Sequence, residues 1–403
     1  MNPLSACGMN KRGLPVRTSN LTKLRNLFAG LSLALAVSLC LPLSVPAQKR
    51  SWTTDVIDSA GAESSLAVDA DGNLHVSYYY PVEGQLKYGF RPAKGKRWFT
   101  MGLDKGFGEF STRIAIDPKG NPHICYSPNI LKYASFDGRR WSVQQIDPGG
   151  GLVSYFCSLR VGPDGTPQVS WYVESGTYIR YASLKDGTWI AQTADAENKP
   201  GKWNSMVLDE KGLPHLSYVT IVKWQLRYSY YTGRAWIHTV VDSPDKSPQG
   251  EQRGMGNSLV LDAHGSPMIS YYDIQSLKFA HFQDEKWKIE TVEEFPSSGG
   301  LAGWKSYRST LVLDHKGNPN IGFVTPSGLE HAWWNGKEWQ KELIIGNLGN
   351  GALDCSMAID ANDNLYISYT DPADRSLKLA VGSAVPIQAT GAVSQSQALE
   401  PKP

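Results

Sequence analysis

Residues 258–293 read SLVLDAHGSPMISYYDIQSLKFAHFQDEKWKIETVE, and this stretch holds one full copy of a motif that recurs along the chain. An apolar strand ends at Asp262, a glycine turn follows, and a second strand carries Tyr271 nine residues after the aspartate. Residues 277–279 alternate apolar and charged side chains, which is typical of a third strand with one solvated face. Trp287 marks a fourth strand that ends in an acidic residue. The copy therefore predicts four short antiparallel strands joined by tight turns.

The motif occurs seven times, at spacings of 45 to 53 residues. The first strands end at Asp69, Asp117, Gly162, Asp209, Asp262, Asp314 and Asp360. The aromatic residues nine positions later are Tyr78, Tyr126, Trp171, Tyr218, Tyr271, Phe323 and Tyr369. Tryptophan and an acid six residues on recur as Trp98/Asp104, Trp141/Asp147, Trp189/Asp195, Trp236/Asp242 and Trp287/Glu293, with Trp339/Ile345 as a degenerate copy. A period of this length built from short strands indicates a radial β array.

The ends of the array predict how it closes. The seventh repeat lacks a tryptophan strand after Leu379, whereas Trp52/Asp58 stands alone before the first full repeat. If the segment from Trp52 to Asp58 supplies the missing strand, no open sheet edge remains. We therefore predict an all-β fold, a seven-bladed β-propeller of four-stranded antiparallel blades over residues 48–383, closed by the N-terminal strand in the last blade.

Residues 1–47 have the features of an export signal. Five basic residues and no acid precede an apolar run from Leu27 to Leu43, and Val45-Pro46-Ala47 offers small residues for cleavage. We predict a cleaved signal and a secreted or periplasmic protein. The alternatives are an N-terminal membrane anchor, since the run reaches the short end of the spanning range, and a lipoprotein attached through Cys40, which the bulky Leu39 before it disfavours. Residues 384–403, rich in Ala, Gln, Ser and Pro, are predicted to form a flexible tail.

Charge and cysteine content limit the function classes. The chain has 40 basic and 38 acidic residues; without the five basic residues of the signal, 35 face 38, a formal charge of −3. This leaves no basic field for nucleic acid, and we expect a monomer. Cys125 and Cys157 lie in neighbouring blades and are able to meet, but we favour buried free thiols there. Cys157 and Cys355 are too far apart around the ring to pair.

Polar residues that recur in the repeat are interpreted as structural. The aspartate that ends each first strand is placed to accept backbone N–H bonds from the following turn. His75, His123 and His215 share one register but stand whole blades apart, so a shared metal site is disfavoured. Asp69-Ala70-Asp71-Gly72-Asn73 resembles the start of a calcium loop but lacks the distal glutamate. The sequence therefore predicts neither a metal site nor a cofactor.

The segments that do not repeat predict the functional face. The connections from strand four to the next strand one, and from strand two to strand three, open on the same face around the central channel. The loops 243–257 and 294–308 are the two longest of them. The predicted ligand-binding residues on this face are Tyr155, Lys202, Trp203, Trp224, Arg253, Asp273, Trp304 and Arg308.

Tryptophan and tyrosine suit the C–H faces of sugar rings, and arginine suits a uronate or a sulfate group. The same residues would also anchor a partner protein. We predict a binding module for a glycan, including an acidic one, or for a protein partner. The alternative is a lyase or glycosidase on an acidic polysaccharide, with Tyr272 or Tyr307 as the base and Arg253 or Arg308 neutralising the carboxylate. For a glycosidase, Asp273 and Glu251 are the candidate carboxylates.

Residues 258–262, 265–273 and 277–280 resemble the repeat of exported bacterial β-propeller proteins, which are distantly similar to sialidase-like propellers. The resemblance covers about residues 51 to 383 and implies the fold, whereas it says little about activity. The sialidase box Ser-x-Asp-x-Gly-x-Thr-Trp is missing from every repeat, and only Arg253 and Arg308 are candidates for the arginine triad of a sialidase. These departures argue against a sialidase proper.

Overall fold

The computed structural model describes residues 50–106, 111–128, 130–146, 153–243, 254–273, 275–295, 308–325, 327–346, 348 and 354–384, except for the side chains of residues 153–155. These residues form seven four-stranded antiparallel sheets, which confirms the predicted fold class. The described part of the chain contains no helix long and apolar enough to span a membrane. The predicted signal and, apart from Ala384, the predicted C-terminal tail lie outside the described residues.

Each blade is one sheet whose strands follow the chain from the channel outward. Blade 1 comprises β2 (Ala62–Val68), β3 (Leu74–Tyr80), β4 (Gln85–Arg91) and β5 (Phe99–Lys105). Blade 2 comprises β6 (Ser111–Ile116), β7 (Pro122–Ser127), β8 (Lys132–Phe136) and β9 (Trp141–Gln145). Blade 3 comprises β10 (Val153–Val161), β11 (Pro167–Val173), β12 (Tyr178–Lys185) and β13 (Thr188–Asp195). Blade 4 comprises β14 (Pro200–Leu208), β15 (Pro214–Thr220), β16 (Leu226–Tyr231) and β17 (Trp236–Asp242).

Blade 5 comprises β18 (Met255–Leu261), β19 (Pro267–Tyr272), β20 (Ser276–Gln283) and β21 (Lys286–Glu294). Blade 6 comprises β22 (Thr310–Leu313), β23 (Pro319–Thr325), β24 (Gly328–Trp334) and β25 (Trp339–Gly346). Blade 7 comprises β26 (Cys355–Ile359), β27 (Leu365–Thr370), β28 (Leu377–Ser383) and, as its outer strand, β1 (Ser51–Asp58). The inner strands contact one another in order, and β26 contacts β2, so the ring is closed.

The closure by the N-terminal strand is confirmed in detail. β1 pairs antiparallel with β28, and Trp52 lies directly opposite Gly382. A Cβ atom added at Gly382 would come within 2.7 Å of the Trp52 ring, so glycine at this position makes room for the indole. The Trp52 indole N–H also donates to Glu342 of blade 6 at 2.9 Å. The closing strand is therefore anchored to the neighbouring blade as well as to its own sheet.

The recurring tryptophans pack one blade on the previous one. Trp141 of blade 2 lies 4.9 Å from the Tyr88 ring of blade 1, measured between ring centroids, and Trp189 of blade 3 lies 5.1 Å from Tyr133 of blade 2. The equivalent contacts at four further interfaces are Trp236–Tyr181, Trp287–Tyr228, Trp339–Phe279 and Trp52–His331. Edge-on and tilted aromatic pairs are favourable beyond their buried area, so the tryptophan period is the period of the blade interfaces.

At several described interfaces, the acid six residues after the tryptophan links its blade to the next. Asp58 accepts hydrogen bonds from the Tyr78 hydroxyl at 2.5 Å and from Lys87 at 2.9 Å. Asp104 accepts from Tyr126 and Lys132, and Asp195 from Tyr218 and Arg227. The partners are the aromatic at offset nine and the basic residue of the third strand. Three separate sequence periodicities thus meet in one buried contact, which we call the interface triad.

Blade 6 departs from this pattern in a compensated way. Phe323 lacks the hydroxyl and Glu330 replaces the basic residue, so the Glu293 carboxylate of blade 5 pairs with Lys341 instead. Burial raises the pKa of Glu330, and the Thr325 hydroxyl donates to its carboxylate at 2.6 Å. The exchange keeps the interface free of an uncompensated charge.

The aspartates that end the inner strands act as predicted. The Asp69 carboxylate accepts the backbone N–H groups of Asp71 and Asn73 at 3.0 and 2.8 Å. It also lies 3.1 Å from His75, whose other ring nitrogen contacts the Tyr88 hydroxyl. Burial lowers the pKa of His75 and outweighs the nearby Asp69 carboxylate. His123 and His215 repeat this arrangement in blades 2 and 4, so the recurrent histidines are buried structural residues.

The interpretation that favoured free thiols at Cys125 and Cys157 is wrong. The two residues form a disulfide between blades 2 and 3, with their Cα atoms 6.6 Å apart. The physical reason is their register. In equivalent positions, Ser77 contacts Thr112, Ser170 contacts Asn204, and Ser270 contacts Ser309, each by a hydrogen bond from one blade to the next. The disulfide takes the place of that hydrogen bond. Cys355 is buried and free.

We expect the double substitution Cys125→Ser and Cys157→Ser to lower the unfolding free energy by about 3–4 kcal/mol. Loss of a cross-link over a sequence separation of 32 residues frees the unfolded chain by roughly this amount, while two serines are able to restore the hydrogen bond of the other interfaces. Thermal unfolding with and without reductant measures the effect. Cys355→Ser is the matched control and is expected to keep the sensitivity to reductant. An unchanged melting temperature of the reduced wild-type protein would contradict the assignment.

Candidate functional site

The structure describes some of the predicted site residues and not others. Arg253, Trp304 and Tyr307 lie outside the described residues, and so does Glu251. Tyr155 belongs to β10, but its side chain is not described. Lys202, Trp203, Trp224, Tyr272, Asp273 and Arg308 are described.

Tyr272 and Asp273 are buried in structural contacts. The Tyr272 hydroxyl is 3.1 Å from both the N–H and the carbonyl oxygen of Val324 in blade 6. Asp273 accepts the Gln275 backbone N–H and the Ser276 hydroxyl, each at 2.8 Å, and lies 3.1 Å from Lys278. Tyr272 follows the offset-nine aromatic, and side chains alternate across a strand, so it faces the neighbouring blade. Neither residue is presented to the channel, and their catalytic roles stay predictions.

Seven equivalent residues surround the mouth of the central channel on the face where the variable loops open. They stand near the start of each inner strand, two positions before Ser65 and its counterparts in the other blades. We call them the mouth ring, and they are Glu63, Ser111, Phe156, Trp203, Gly256, Arg308 and Asp354. A structural role would favour one residue type at a repeated position. The residue type here instead differs in every blade.

One half of the mouth ring, on blades 6, 7, 1 and 2, is polar and charged. Arg308 lies 3.1 Å from Glu63 and 3.6 Å from Asp354, and its guanidinium is 3.5 Å from the Ser111 hydroxyl. Asp354 is 4% exposed, and neither carboxylate oxygen has a hydrogen-bond partner among the described residues. Burial raises the pKa of Asp354 to about 7, although Arg308 opposes the shift. Proton binding to this carboxyl group is therefore favoured relative to an exposed aspartate.

The other half, on blades 3 and 4, is aromatic. The rings of Phe156 and Trp203 lie 5.4 Å apart between centroids, and the Lys202 ammonium lies 5.8 Å from the Trp203 ring. Asn204 donates to the Phe156 carbonyl at 2.7 Å, and Asn257 donates to that of Trp203 at 2.5 Å. Trp203 is in the left-handed region at φ 49°, which side chains adopt at a cost. The inner strands therefore hold both aromatic residues in fixed positions at the rim.

Trp224 stands on the same face, between β15 and β16, and it too has a positive φ of 50°. The structure thus brings Trp203, Lys202 and Arg308 to the mouth and places Trp224 in a neighbouring turn of blade 4. Sequence reasoning missed Glu63 and Asp354 at the mouth and Arg113 and Arg160 inside the channel. An alignment of the repeats would have revealed Arg113, because five of the other blades have serine at its position in the inner strand.

A second concavity lies at the outer edge between blades 1 and 2. It has a volume of about 390 Å³ and an apolar lining that includes Phe99, Met101, Phe136 and Trp141. Its lining carries no lysine, arginine or carboxylate. The mouth, which combines aromatic rings with charges, has the chemistry of a specific polar ligand site. Among the described residues, no group of three or more His, Cys, Asp or Glu is placed to hold a metal ion.

Comparisons with known proteins show the fold. No protein-family model and no curated protein sequence matches the chain. Among solved structures, it is similar to a PL25 ulvan lyase bound to -[GlcA(1-4)Rha3S]- (11% identity, TM-score 0.56, covering 82% of this chain and 95% of that one). It is also similar to the polysaccharide lyase Uly1 (11%, TM-score 0.55, 79% and 89%) and to Kuenenia stuttgartiensis hydrazine synthase (7%, TM-score 0.54, 78% and 94%).

The chain is a β-propeller. At these identities the likeness reaches no further than the fold, and the chemistry of the similar proteins is diverse. Nothing in these comparisons tests the sialidase-like relation or the export of this propeller, which stay predictions. Its function has to be argued from its own mouth ring.

Proposed function

We propose that this propeller is an exported carbohydrate-binding protein that holds an acidic glycan across the mouth of its central channel. The observation that carries the proposal is the division of the mouth ring into an aromatic half, Phe156 and Trp203, and a charged half centred on Arg308. Sugar rings stack on aromatic faces, and guanidinium groups bind carboxylate and sulfate. Export is supported by the basic and apolar N-terminal segment and by the Cys125–Cys157 disulfide, because such bonds persist in oxidising compartments.

The charge distribution favours an acidic ligand over a neutral one. Arg308 is paired with Glu63 and Asp354. Arg113 lies below it, and its pKa is lowered first by burial and then by repulsion from Arg308. Three arginines, Arg308, Arg113 and Arg160, thus face two carboxylates, so the mouth and the channel below it together carry a net positive charge. A uronate or sulfate group at the rim would lie in this field, while the sugar ring stacks on Trp203.

The test is binding to immobilised and soluble glycans by Trp203→Gly and Glu63→Gln. Glycine occupies the same ring position in blade 5, as Gly256 with φ 53°, so Trp203→Gly suits the backbone. It is expected to weaken binding by about 10-fold, since one aromatic stack contributes on the order of 1 kcal/mol. Glu63→Gln removes a negative charge and is expected to strengthen binding of an acidic glycan about threefold or more. Calorimetry or biolayer interferometry measures both changes.

The control is Phe99→Ala, which removes an aromatic that is 53% exposed on the outer strand of blade 1. It is expected to leave glycan affinity unchanged. A neutral glycan should not respond to Glu63→Gln. Binding that is equal in wild type and Trp203→Gly, for every glycan retained by the wild type, would refute a site at the mouth.

An enzymatic alternative has one specific observation in its favour. Asp354 is a buried carboxyl group whose pKa is raised by burial, which is the direction that a general acid requires. A lyase would release an unsaturated uronate and a glycosidase would release reducing ends, so incubation with acidic polysaccharides separates both from binding alone. Activity that Asp354→Asn abolishes without loss of glycan binding would replace the binding proposal by the enzymatic one.

A further inference from the structure

The interior of the channel below the mouth ring is rich in hydrogen-bond donors. A cavity of about 170 Å³ lies there, lined by inner-strand residues of all seven blades, among them Arg113 and Arg160, with Arg308 of the mouth ring at its upper end. Its lining includes no aspartate or glutamate. A water occupies about 30 Å³ in the liquid, so the cavity has room for a small polyatomic ligand.

Five serine hydroxyls face this cavity from equivalent positions of the inner strands. Each hydroxyl accepts a hydrogen bond from a backbone N–H of the next blade around the ring, at 2.9 to 3.2 Å; for Ser356 of blade 7 the next blade is blade 1. They are Ser65, Ser158, Ser205, Ser258 and Ser356. A serine has one O–H proton to donate besides its acceptor lone pairs. Among the described residues, none of these five hydroxyls donates that proton to a protein acceptor, so the protons are available to a ligand in the channel.

Two guanidinium groups complete the donor set. Arg113 donates to the carbonyl of Thr112 at 2.7 Å, and Arg160 donates to that of Leu159 at 2.8 Å. Within the described part of the chain, no carboxylate lies within 4.0 Å of either group. Burial lowers the pKa of Arg113 to about 9, and repulsion from Arg308 adds to the shift, while Asp354 and Glu63 only partly oppose it. Burial alone lowers the pKa of Arg160 to about 10. The positive charge inside the channel is therefore poorly compensated by the protein.

Both arginines are exceptions in their registers. Arg113 stands where other blades have serine or threonine, and Arg160 stands where they have alanine or valine, as at Ala115 and Val207. The fold does not require arginine at either position, and a half-buried cation without a carboxylate partner is costly. The two residues are adjacent around the ring, on blades 2 and 3, and they reach one cavity.

We propose that the channel contains an oxyanion site, in which Arg113 and Arg160 bind a sulfate or carboxylate group and the serine hydroxyls donate to its remaining oxygens. The planar fork of each guanidinium matches two oxygens of such a group. The site does not depend on the proposed glycan function, because a free inorganic anion would occupy it whether or not a saccharide binds the mouth. An anionic substituent of a saccharide that reaches below the ring has the same chemistry.

The experiment compares thermal unfolding of the full chain in sodium sulfate, in sodium glucuronate, and in sodium chloride of equal ionic strength. For wild type, sulfate or glucuronate is expected to raise the melting temperature by about 2–5 °C beyond chloride, as mass action predicts for a ligand well above its dissociation constant. Titration calorimetry with sulfate gives the stoichiometry, which is expected to be one.

The variants take residues that other blades already use. Arg113→Ser and Arg160→Ala, singly and together, are expected to fold and to lose the anion-specific shift, whereas Arg139→Ser, in an exposed turn of blade 2, should keep it. Sulfate binding that Trp203→Gly leaves intact supports a free ion. A shift produced only by glucuronate and lost in both Trp203→Gly and Arg113→Ser supports a saccharide substituent. Shifts that match chloride, or that persist in the double variant, would overturn the site.

Discussion

A chain that begins at residue 60 is expected to lose most of the thermal stability of a chain that begins at residue 48. The shorter chain lacks β1, and the loss is not confined to one sheet. β1 supplies seven backbone partners to β28, the Trp52 contacts with His331 and Glu342 in blade 6, and the Asp58 carboxylate to Tyr78 and Lys87 in blade 1. One strand therefore joins three successive blades.

The expected cost is on the order of 5–10 kcal/mol, which combines burial of a tryptophan with several backbone and charged hydrogen bonds. This is comparable to the whole stability of a typical domain. It also exposes β28 as an unpaired edge, which promotes aggregation. Circular dichroism against temperature and light scattering measure both consequences.

Addition of a synthetic peptide covering residues 49–59 is expected to restore part of the stability, and the same peptide with Trp52→Ala and Asp58→Ala should not. In the longer chain, Gly382→Val is expected to cause a smaller loss of stability than removal of β1, because a Cβ atom at that position meets the Trp52 ring. Equal melting temperatures for the two chain lengths would show that the ring does not depend on this strand.

The fold could be predicted from the sequence because every feature was repeated. Seven copies of the Asp, glycine and aromatic spacing outweigh the irregularities of any one copy, such as Gly162 in place of aspartate. The closure followed from the isolated Trp52/Asp58 pair and the incomplete seventh repeat. What the periodicity did not reveal was that three of its elements form one contact, the interface triad, because its residues on adjacent blades are 20 to 32 positions apart in sequence.

The disulfide could also have been predicted from an alignment of the repeats, but only by comparing the polar positions of each repeat with those of the next. Cys125 shares a register with Ser77 and Ser170, and Cys157 with Thr112 and Asn204. The pairing of polar residues at the other interfaces then predicts that the two cysteines meet. The number of cysteines alone carried no such information.

The site was predicted less well than the fold for a physical reason. Long loops drew attention to residues 243–257 and 294–308, whereas the described mouth is built by inner strands at a fixed register. Trp203 and Arg308 were identified because they lie next to loops. Glu63, Asp354 and Arg113 lie in segments that appear regular, and their chemistry becomes visible only when they are set beside their counterparts in other blades.

The largest effect of a single substitution on stability is expected for Asp195→Ala, at about 3–5 kcal/mol. Asp195 belongs to the most buried interface triad, with its side chain 1% exposed and Arg227 at 2.9 Å. Burial lowers the pKa of Arg227, but the Asp195 carboxylate more than offsets this and the pKa is raised. Removal of the carboxylate would leave a buried guanidinium and the Tyr218 hydroxyl without their main partner, which is the costly way to break a buried pair.

The equivalent substitutions provide a graded control, because the same contact recurs at different depths. The side chains of Asp58 and Asp104 are 12% and 23% exposed, and water is able to solvate the lysine that each would leave behind. We therefore expect the loss of unfolding free energy to decrease from Asp195→Ala through Asp58→Ala to Asp104→Ala, with the last at about 1–2 kcal/mol. Denaturant titrations of the three variants measure the order. Arg227→Met in the Asp195→Ala background removes the unpaired charge and is expected to recover part of the lost stability. If it does not, or if the order of the three variants is reversed, then uncompensated charge is not the cause of the loss, which must come from packing of the tyrosine.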